Sequence, residues 1–415
     1  MTEVHQEATV IDTTVAFAGL ELPSPILVGA GPNTRTVELC VAALRAGAGA
    51  VEVAGPPGVD GQVNSVRLDE FQLLPSKADA FHKRFFGFAT TGARRRWPGR
   101  ENSTEHKLKV IQTVKEETRG LGAVFASIGS VTYRAEDGLT WGEMAARSQE
   151  AGADAVVLHL QTGQFLAGSR LTEEPDRLPG IVREIKAFCS IPVIAKLPIE
   201  GCDPVALARI ALDAGADGVA PTARYVGLSI DIDSEAVPEW GGFHGYGGPW
   251  ALPITAAWTA KMRRAGLGGA LIPGGGVMSW KDIVRLLLVG ANMAQVCTWP
   301  ILRGYGVLGP ALEQLRSWMS DKGYRRLDDF RGGMAAGLKE PDDIWGRSLD
   351  RGPYQGVRVK PEDCTGCGAC LHVCFFDALT LDDDKRASID RVKCSGCGCC
   401  YHICPFDAIV APPGP

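Results

Sequence analysis

Three features of the sequence predict an α/β fold, a (β/α)8 TIM barrel followed by a small cysteine-rich C-terminal domain. The first is a joint that recurs four times: Arg-Ala-Gly47-Ala-Gly-Ala-Val, Glu-Ala-Gly152-Ala-Asp-Ala-Val, Asp-Ala-Gly215-Ala-Asp-Gly-Val and Val-Gly290-Ala-Asn-Met-Ala-Gln-Val. Each places glycine where an amphipathic helix ends and a β-branched run begins, the left-handed cap such an ending requires. The second is a set of eight short apolar segments separated by helical patterns, the signature of parallel βα units. The third is a pair of cysteine runs near the C-terminus with the same internal spacing.

In chain order, buried strands are expected at 25–31, 50–55, 123–129, 155–161, 192–198, 218–223, 270–276 and 293–298. Helical patterns lie between most of them, for example at 36–46, 141–151, 204–214 and 279–289. Eight units in roughly 300 residues fit a closed barrel. A doubly wound open sheet remains the alternative, because a strand count does not establish closure. Two long excursions, 56–103 and 227–249, leave from C-terminal strand ends, the face on which barrel active sites are built. Each could equally serve as a subunit contact. A closing helix is expected at 311–322, with residues 347–356, rich in Gly and Arg, as linker. The expected organisation is a barrel over 1–320, a connection over 321–355 and the cysteine domain over 356–412.

The chain has 415 residues, 45% of them apolar, with a formal charge of −5 and a pI near 5.9. That balance argues against nucleic acid as a partner, which would require a basic face. The basic run Arg94-Arg95-Arg96 is expected to be solvated. Thirteen cysteines, nine of them in the two runs, do not form a disulfide framework and imply a reducing compartment. The N-terminus shows no basic region followed by an apolar core, and no apolar run approaches the ~18 residues of a membrane span. A cytoplasmic location without membrane attachment is expected.

The cysteine runs both read C-x2-C-x2-C-x3-C: Cys364, Cys367, Cys370, Cys374, then Cys394, Cys397, Cys400, Cys404. Structural zinc would use two C-x2-C pairs and leave two cysteines of each run without a role. The stretch from Gly356 to Ala411 resembles the dicluster ferredoxin domain, and both halves end in Phe-Asp-Ala, at 376–378 and 406–408. The resemblance implies two [4Fe–4S] clusters. One would be held by Cys364, Cys367, Cys370 and Cys404, the other by Cys394, Cys397, Cys400 and Cys374. Phe375 stands where that family usually has proline. Cys399, outside the spacing, reads as a small buried hydrophobe.

Iron-sulfur clusters pass single electrons, so chemistry on an organic substrate requires a second cofactor that handles two. Phosphate in such barrels is commonly bound after strands 7 and 8, which here end in Pro273-Gly274-Gly275-Gly276-Val277 and Gln295-Val296-Cys297-Thr298. As an alternative, a glycine triplet is simply a tight turn. Ala195-Lys196-Leu197-Pro198, Gly247-Gly248-Pro249, Gly275-Gly276-Val277 and Gly290-Ala291 with Gln295-Val296-Cys297 resemble, in order and spacing, the FMN barrel of the dihydroorotate dehydrogenases. With the C-terminal domain the whole is similar to the FMN and iron-sulfur portion of dihydropyrimidine dehydrogenases. The resemblance implies that Lys196 donates to the flavin pyrimidine ring, where a buried lysine would otherwise demand a paired carboxylate. It also implies that Ala30-Gly31-Pro32-Asn33 lies against the isoalloxazine, and that Gly248, Gly275, Gly276, Cys297 and Thr298 complete the FMN site. Asn102 is a weaker match to an active-site asparagine.

The departures concern the substrate. The family's Asn-x-Ser-Cys-Pro after strand 4 is replaced by His159-Leu160-Gln161-Thr162-Gly163, its catalytic loop position falls at Leu171, a second lysine falls near Ala54, and an Asn-Thr pair becomes Ala223-Arg224. Losing groups that hydrogen-bond a substrate costs about 10⁴ or more in discrimination, so neither uracil nor orotate is the expected substrate. Three local groups could replace the missing acid: His159, Ser169, and Tyr246 with His244 on the loop before Gly247-Gly248. His159 leads, because imidazole titrates near neutral pH; its alternative is a structural histidine on the barrel rim. Gly29-Ala30-Gly31 lacks the third glycine and the acidic residue of a Rossmann unit. NAD(P)H would therefore be oxidised by a separate reductase subunit or by a ferredoxin partner, and a homo- or hetero-oligomer is expected. A pyrimidine-type enzyme with a rebuilt pocket and a non-catalytic electron-transfer subunit stay open as alternatives.

Overall fold

The computed structural model describes residues 11–54, 72–74, 87–90, 104–129, 139–159, 174–198, 202–223, 225–228, 230, 232–235, 244–339 and 357–410. They fall into two compact units, one ending at Leu338 and one formed by the chain from Lys339 onward.

The larger unit contains the eight expected strands: β1 (Ile26–Val28), β2 (Ala50–Val53), β3 (Ala123–Gly129), β4 (Ala155–His159), β5 (Val193–Lys196), β6 (Gly218–Ala220), β7 (Ala270–Leu271) and β8 (Ala294–Val296). All pair in parallel, in the order β7-β6-β5-β4-β3-β2-β1-β8. The ends of that order meet. Gly274 bridges Gln295 in parallel, and the N–H groups of Asn292 and Gln295 donate to the carbonyls of Leu271 and Pro273 at 2.7 and 2.8 Å. The sheet is therefore a TIM barrel and not the open doubly wound alternative.

Among the described residues a helix follows each strand: α1 (Val37–Arg45), α2 (Thr104–Glu117), α3 (Trp141–Glu150), α4 (Glu174–Phe188), α5 (Pro204–Asp213), α6 (Leu252–Arg264), α7 (Trp280–Leu288) and α8 (Leu308–Asp321), with the six-residue helix Thr298–Arg303 between β8 and α8. Their starts are written locally. Thr36 accepts from the Leu39 N–H, Asp203 from the Val205 N–H, and Thr140 forms a reciprocal capping box with Glu143. Their ends are the recurrent joints, and Gly47, Gly152, Gly215 and Gly290 all take φ between +97° and +107°.

The joints also carry a repeated polar clasp. Asp154 accepts from the Val124 N–H at the start of β3 and from Lys115 of α2; Asp217 accepts from the Val193 N–H of β5 and from Lys186 of α4. Asn292 does the same with the Leu271 N–H and Arg263 of α6. Each clasp satisfies a strand-end donor and ties a helix to the sheet. At the first joint Gly49 replaces the acidic residue, because a Cβ there would lie 2.0 Å from the Ser24 carbonyl oxygen.

The excursions after β2 and β6 form one further sheet. Gln72–Leu74, Gly87–Thr90, Tyr225–Gly227 and His244–Gly247 pair antiparallel, with Gly245 opposite Thr90 and Tyr225 opposite Tyr246. His244 and Tyr246 thus belong to a strand and not to the loop expected from sequence.

In the smaller unit, Arg358–Val359 pairs with Ile409–Val410 and Leu379–Leu381 with Ala387–Ile389, both antiparallel. Its two halves repeat in backbone conformation. Gly366 and Gly368 in one, Gly396 and Gly398 in the other, have φ from +72° to +78°, and the aspartates of both Phe-Asp-Ala motifs, Asp377 and Asp407, have φ near +50°. Gly366 has a packing reason as well, since a Cβ would lie 2.1 Å from the Lys385 carbonyl oxygen.

Candidate active site and iron-sulfur centres

Most of the described flavin and acid candidates named from sequence line one cleft at the C-terminal ends of the barrel strands, while Asn33 and His244 are not among its lining residues. Ala30 and Gly31 follow β1, His159 ends β4, Lys196 ends β5, Gly275 and Gly276 follow β7, and Cys297 and Thr298 follow β8, while Tyr246 and Gly248 enter from the added sheet. The cleft encloses about 900 Å³, its solvent mouth included. Ser169, Leu171, Asn102, Arg94–Arg96 and the linker 347–356 lie outside the described residues.

The glycine wall is held by protein contacts. Thr222 and Thr255, both buried, donate their hydroxyls to the Gly274 carbonyl. Gly275 and Gly276 have φ of +108° and +87°, and a Cβ on Gly276 would lie 2.3 Å from the backbone nitrogen of Leu252 at the start of α6. The triplet is a bend in the backbone. Its consequence is a stretch of backbone without side chains, which a flat ligand or a phosphate can approach closely. On the opposite wall a Cβ on Gly31 would lie 2.7 Å from Asn33 Oδ1 and 3.0 Å from Cys297 Sγ. Asn33 is fixed there by the Tyr305 hydroxyl, which donates to its carbonyl oxygen, and its side-chain amide nitrogen is buried without a hydrogen bond.

Behind the wall lies a residue that sequence reasoning missed. Glu52, in the middle of β2, is fully buried, and its Oε2 accepts from the Ala30 N–H at 3.1 Å, from Gln295 Nε2 at 2.5 Å and from Lys196 Nζ at 3.4 Å. Its other oxygen, Oε1, is buried with no partner. Lys196, 8% exposed, therefore has the paired carboxylate that its burial demands. Removing one member of such a pair typically costs about 3–5 kcal/mol. The signal was a lone glutamate in the apolar run Ala-Val-Glu-Val.

The acid candidates differ in surroundings. His159 and Lys196 are register partners on β4 and β5. Tyr246 stacks on Trp250, centroids 4.9 Å apart and planes at 23°, and Tyr225 meets the same indole at 4.7 Å. Burial pushes the Tyr246 phenol above its ordinary value, so it holds its proton more firmly than a free tyrosine.

The cysteines separate into two hollows. One is lined by Cys364, Cys367, Cys370 and Cys404, the other by Cys374, Cys394, Cys397 and Cys400. In each, the fourth sulfur comes from the other run. Four thiols around a hollow suit a cube of iron and sulfide. Burial raises the thiols of Cys370 and Cys400, the latter to about 12, so they ionise readily only where a cation replaces the proton. Cys399 departs from expectation. It is half-buried at the edge of the second hollow, hydrogen-bonded to Cys397, and not part of the packed core.

Residues 363–408 match the family model for a 4Fe-4S dicluster domain. Over 374 residues, 88% of this chain and 85% of the relative, the sequence is 26% identical to the NAD-dependent dihydropyrimidine dehydrogenase subunit PreA of Escherichia coli (strain K12). It is 27% identical over 237 residues to the catalytic subunit of dihydroorotate dehydrogenase B (NAD(+)) of Thermoplasma volcanium, covering 57% of this chain and 73% of that one. With the corresponding subunit of Pyrococcus abyssi it shares 30% over 181 residues, 43% of this chain and 60% of that one. The chain is a homologue of these dehydrogenase subunits. Barrel and cysteine domain are thus those of an iron-sulfur oxidoreductase built on a TIM barrel of the flavoprotein kind. Among the described residues no helix is long and apolar enough to cross a membrane.

Proposed function

We propose that this protein is an oxidoreductase carrying FMN and two [4Fe–4S] clusters, and that it adds or removes hydride at a polarised carbon–carbon bond of a small molecule other than a pyrimidine. The observation that carries the reading is the convergence of most of the described flavin candidates on one cleft at the catalytic face of the barrel. The cysteine sets fit cubes for the reasons given above. The cleft fits FMN: it has a side-chain-free glycine wall on one side and, at the end of β5, Lys196 backed by a buried carboxylate.

FMN, when bound, supplies the change between two-electron and one-electron chemistry. The chain's own groups do the rest. Gly275 and Gly276 offer backbone to the phosphate end, Ala30 and Gly31 flank the ring, and Lys196 places an ammonium at the polar edge. His159, beside Lys196, gives or takes the proton at the carbon next to the one that exchanges hydride. An imidazole is a side chain suited to proton transfer at neutral pH, whereas burial holds Tyr246 protonated. The two cysteine sets would hold the clusters, which would supply one-electron transfer to or from a separate NAD(P)H-oxidising subunit or a ferredoxin. A cytoplasmic location accords with reduced thiolate ligands.

A pyrimidine-type enzyme with a rebuilt pocket is the second reading, favoured by the extent of the match to the dihydropyrimidine dehydrogenase subunit. Against it, Ala223 lines the cleft where the family places a polar pair. The two separate by anaerobic bleaching of the bound flavin with a substrate panel. Bleaching by the saturated form of a non-pyrimidine, or re-oxidation of the reduced flavin by the corresponding polarised double bond, supports the first reading, and bleaching by dihydrouracil or dihydroorotate alone supports the second. No bleaching by any compound would leave an electron-transfer subunit without catalysis.

A further inference from the structure

We infer that Glu52 is a positioning residue that sets the charge the cleft presents to its cofactor, by neutralising Lys196 from behind the wall. The inference rests on the flavin reading above and deepens it.

Glu52 does not itself line the cleft, but all three groups that donate to its Oε2 do: Ala30, Lys196 and Gln295. The carboxylate is thus one layer below the surface on which a ligand would lie. Its strand, β2, is paired on both sides, with β1 and β3, and the residues on either side of it, Val51 and Val53, are buried and apolar. A fully buried carboxylate in such a strand has no water to screen it, so its field reaches Lys196 with little attenuation. Gln295 adds a short neutral donor from the other side, and a Cβ on Gly29 would lie 2.5 Å from that amide nitrogen. The carboxylate oxygen is therefore fixed between two strands, β1 and β8, and cannot swing away from the lysine. The described lining residues include no other lysine or arginine.

An unpaired ammonium at the polar edge of a flavin favours the electron-rich, reduced form and raises the reduction potential. With Glu52 behind it, Lys196 keeps its donor geometry and loses most of its net field. The cleft then presents a hydrogen bond without a surplus positive charge, and the flavin is held at a low potential, suited to exchanging electrons with low-potential iron-sulfur centres.

The test is the reduction potential of the bound flavin, read by anaerobic dye-coupled titration of its visible absorbance. Glu52→Gln keeps the size and one acceptor oxygen. It should shift the reduced-to-oxidised ratio at a fixed potential at least tenfold toward reduced, equivalent to about 30 mV for a two-electron couple. Lys196→Met should shift that ratio toward oxidised. The double variant, which removes both charges, should return to within threefold of the parent. Glu52→Asp keeps the charge but draws it back by one methylene; it should shift in the same direction as Glu52→Gln by a smaller factor, and it carries the test if the amide variant does not fold. Folding is checked by cluster absorbance and far-UV dichroism. Flavin bound at normal stoichiometry with a ratio changed less than twofold in the Glu52 variants, or changed toward oxidised, overturns the inference and leaves the flavin reading intact. Wild-type protein that binds no FMN overturns the flavin reading itself.

Discussion

His159 and Lys196 are register partners on adjacent parallel strands, β4 and β5, and both line the cleft at the barrel's C-terminal end. In parallel pairing, register partners point to the same side of the sheet, so the proposed proton donor and the proposed flavin ligand are set side by side by backbone geometry. If His159 is the acid, His159→Ala should bind substrate and exchange electrons with the clusters, yet slow flavin oxidation by substrate about 10²-fold or more. Rapid-mixing kinetics measure that step, and a rate within threefold of the parent would move the search to Tyr246 and Ser169.

Tyr246 answers to pH. Its pKa is raised by burial, so in the folded protein the phenol stays protonated beyond the ordinary value near 10. Any stabilisation from this group is complete below that value and is lost as pH rises through the folded pKa. Ultraviolet difference titration of the parent against Tyr246→Phe should show the missing phenolate signal appearing later than that of a free tyrosine. A signal at or below pH 9 would contradict the buried, Trp250-stacked placement.

Cluster ligation is tested on one exposed ligand. Anaerobically purified protein should hold about eight irons and two cubes, and Cys367→Ala should lose the cube of Cys364, Cys370 and Cys404 while the flavin content stays unchanged. Iron and sulfide analysis with low-temperature electron paramagnetic resonance reads the outcome. Zinc, or four irons in the parent, would sink the two-cluster assignment.

The polar clasps carry stability. Asp217→Ala removes the acceptor for the Val193 N–H and the partner of Lys186, and should lower unfolding stability by about 1–3 kcal/mol. Chemical denaturation of the cluster-loaded protein measures it. Lys186→Met should cost less, since both side chains are about 30% exposed and the ion pair is screened.

The sequence by itself determined the elements. Helix caps, joint glycines and β-branched runs act within a few residues, so the eight βα units were legible without tertiary information. The resemblance of the cysteine runs to the dicluster ferredoxin domain implied which sulfurs would serve together, and the two hollows gather those same sets. Closure of the barrel was not legible, because it depends on β7 meeting β8 through Gly274 and Gln295 after the whole sheet has curled. Nor was the pairing of the two excursions into one antiparallel sheet, which turns Tyr246 from a loop residue into a strand residue. Glu52 is the sharpest case. Lys196, the partner whose burial it compensates, lies 144 residues away, and only the tertiary fold brings the two into one dry interior, where a charge must find its counterpart.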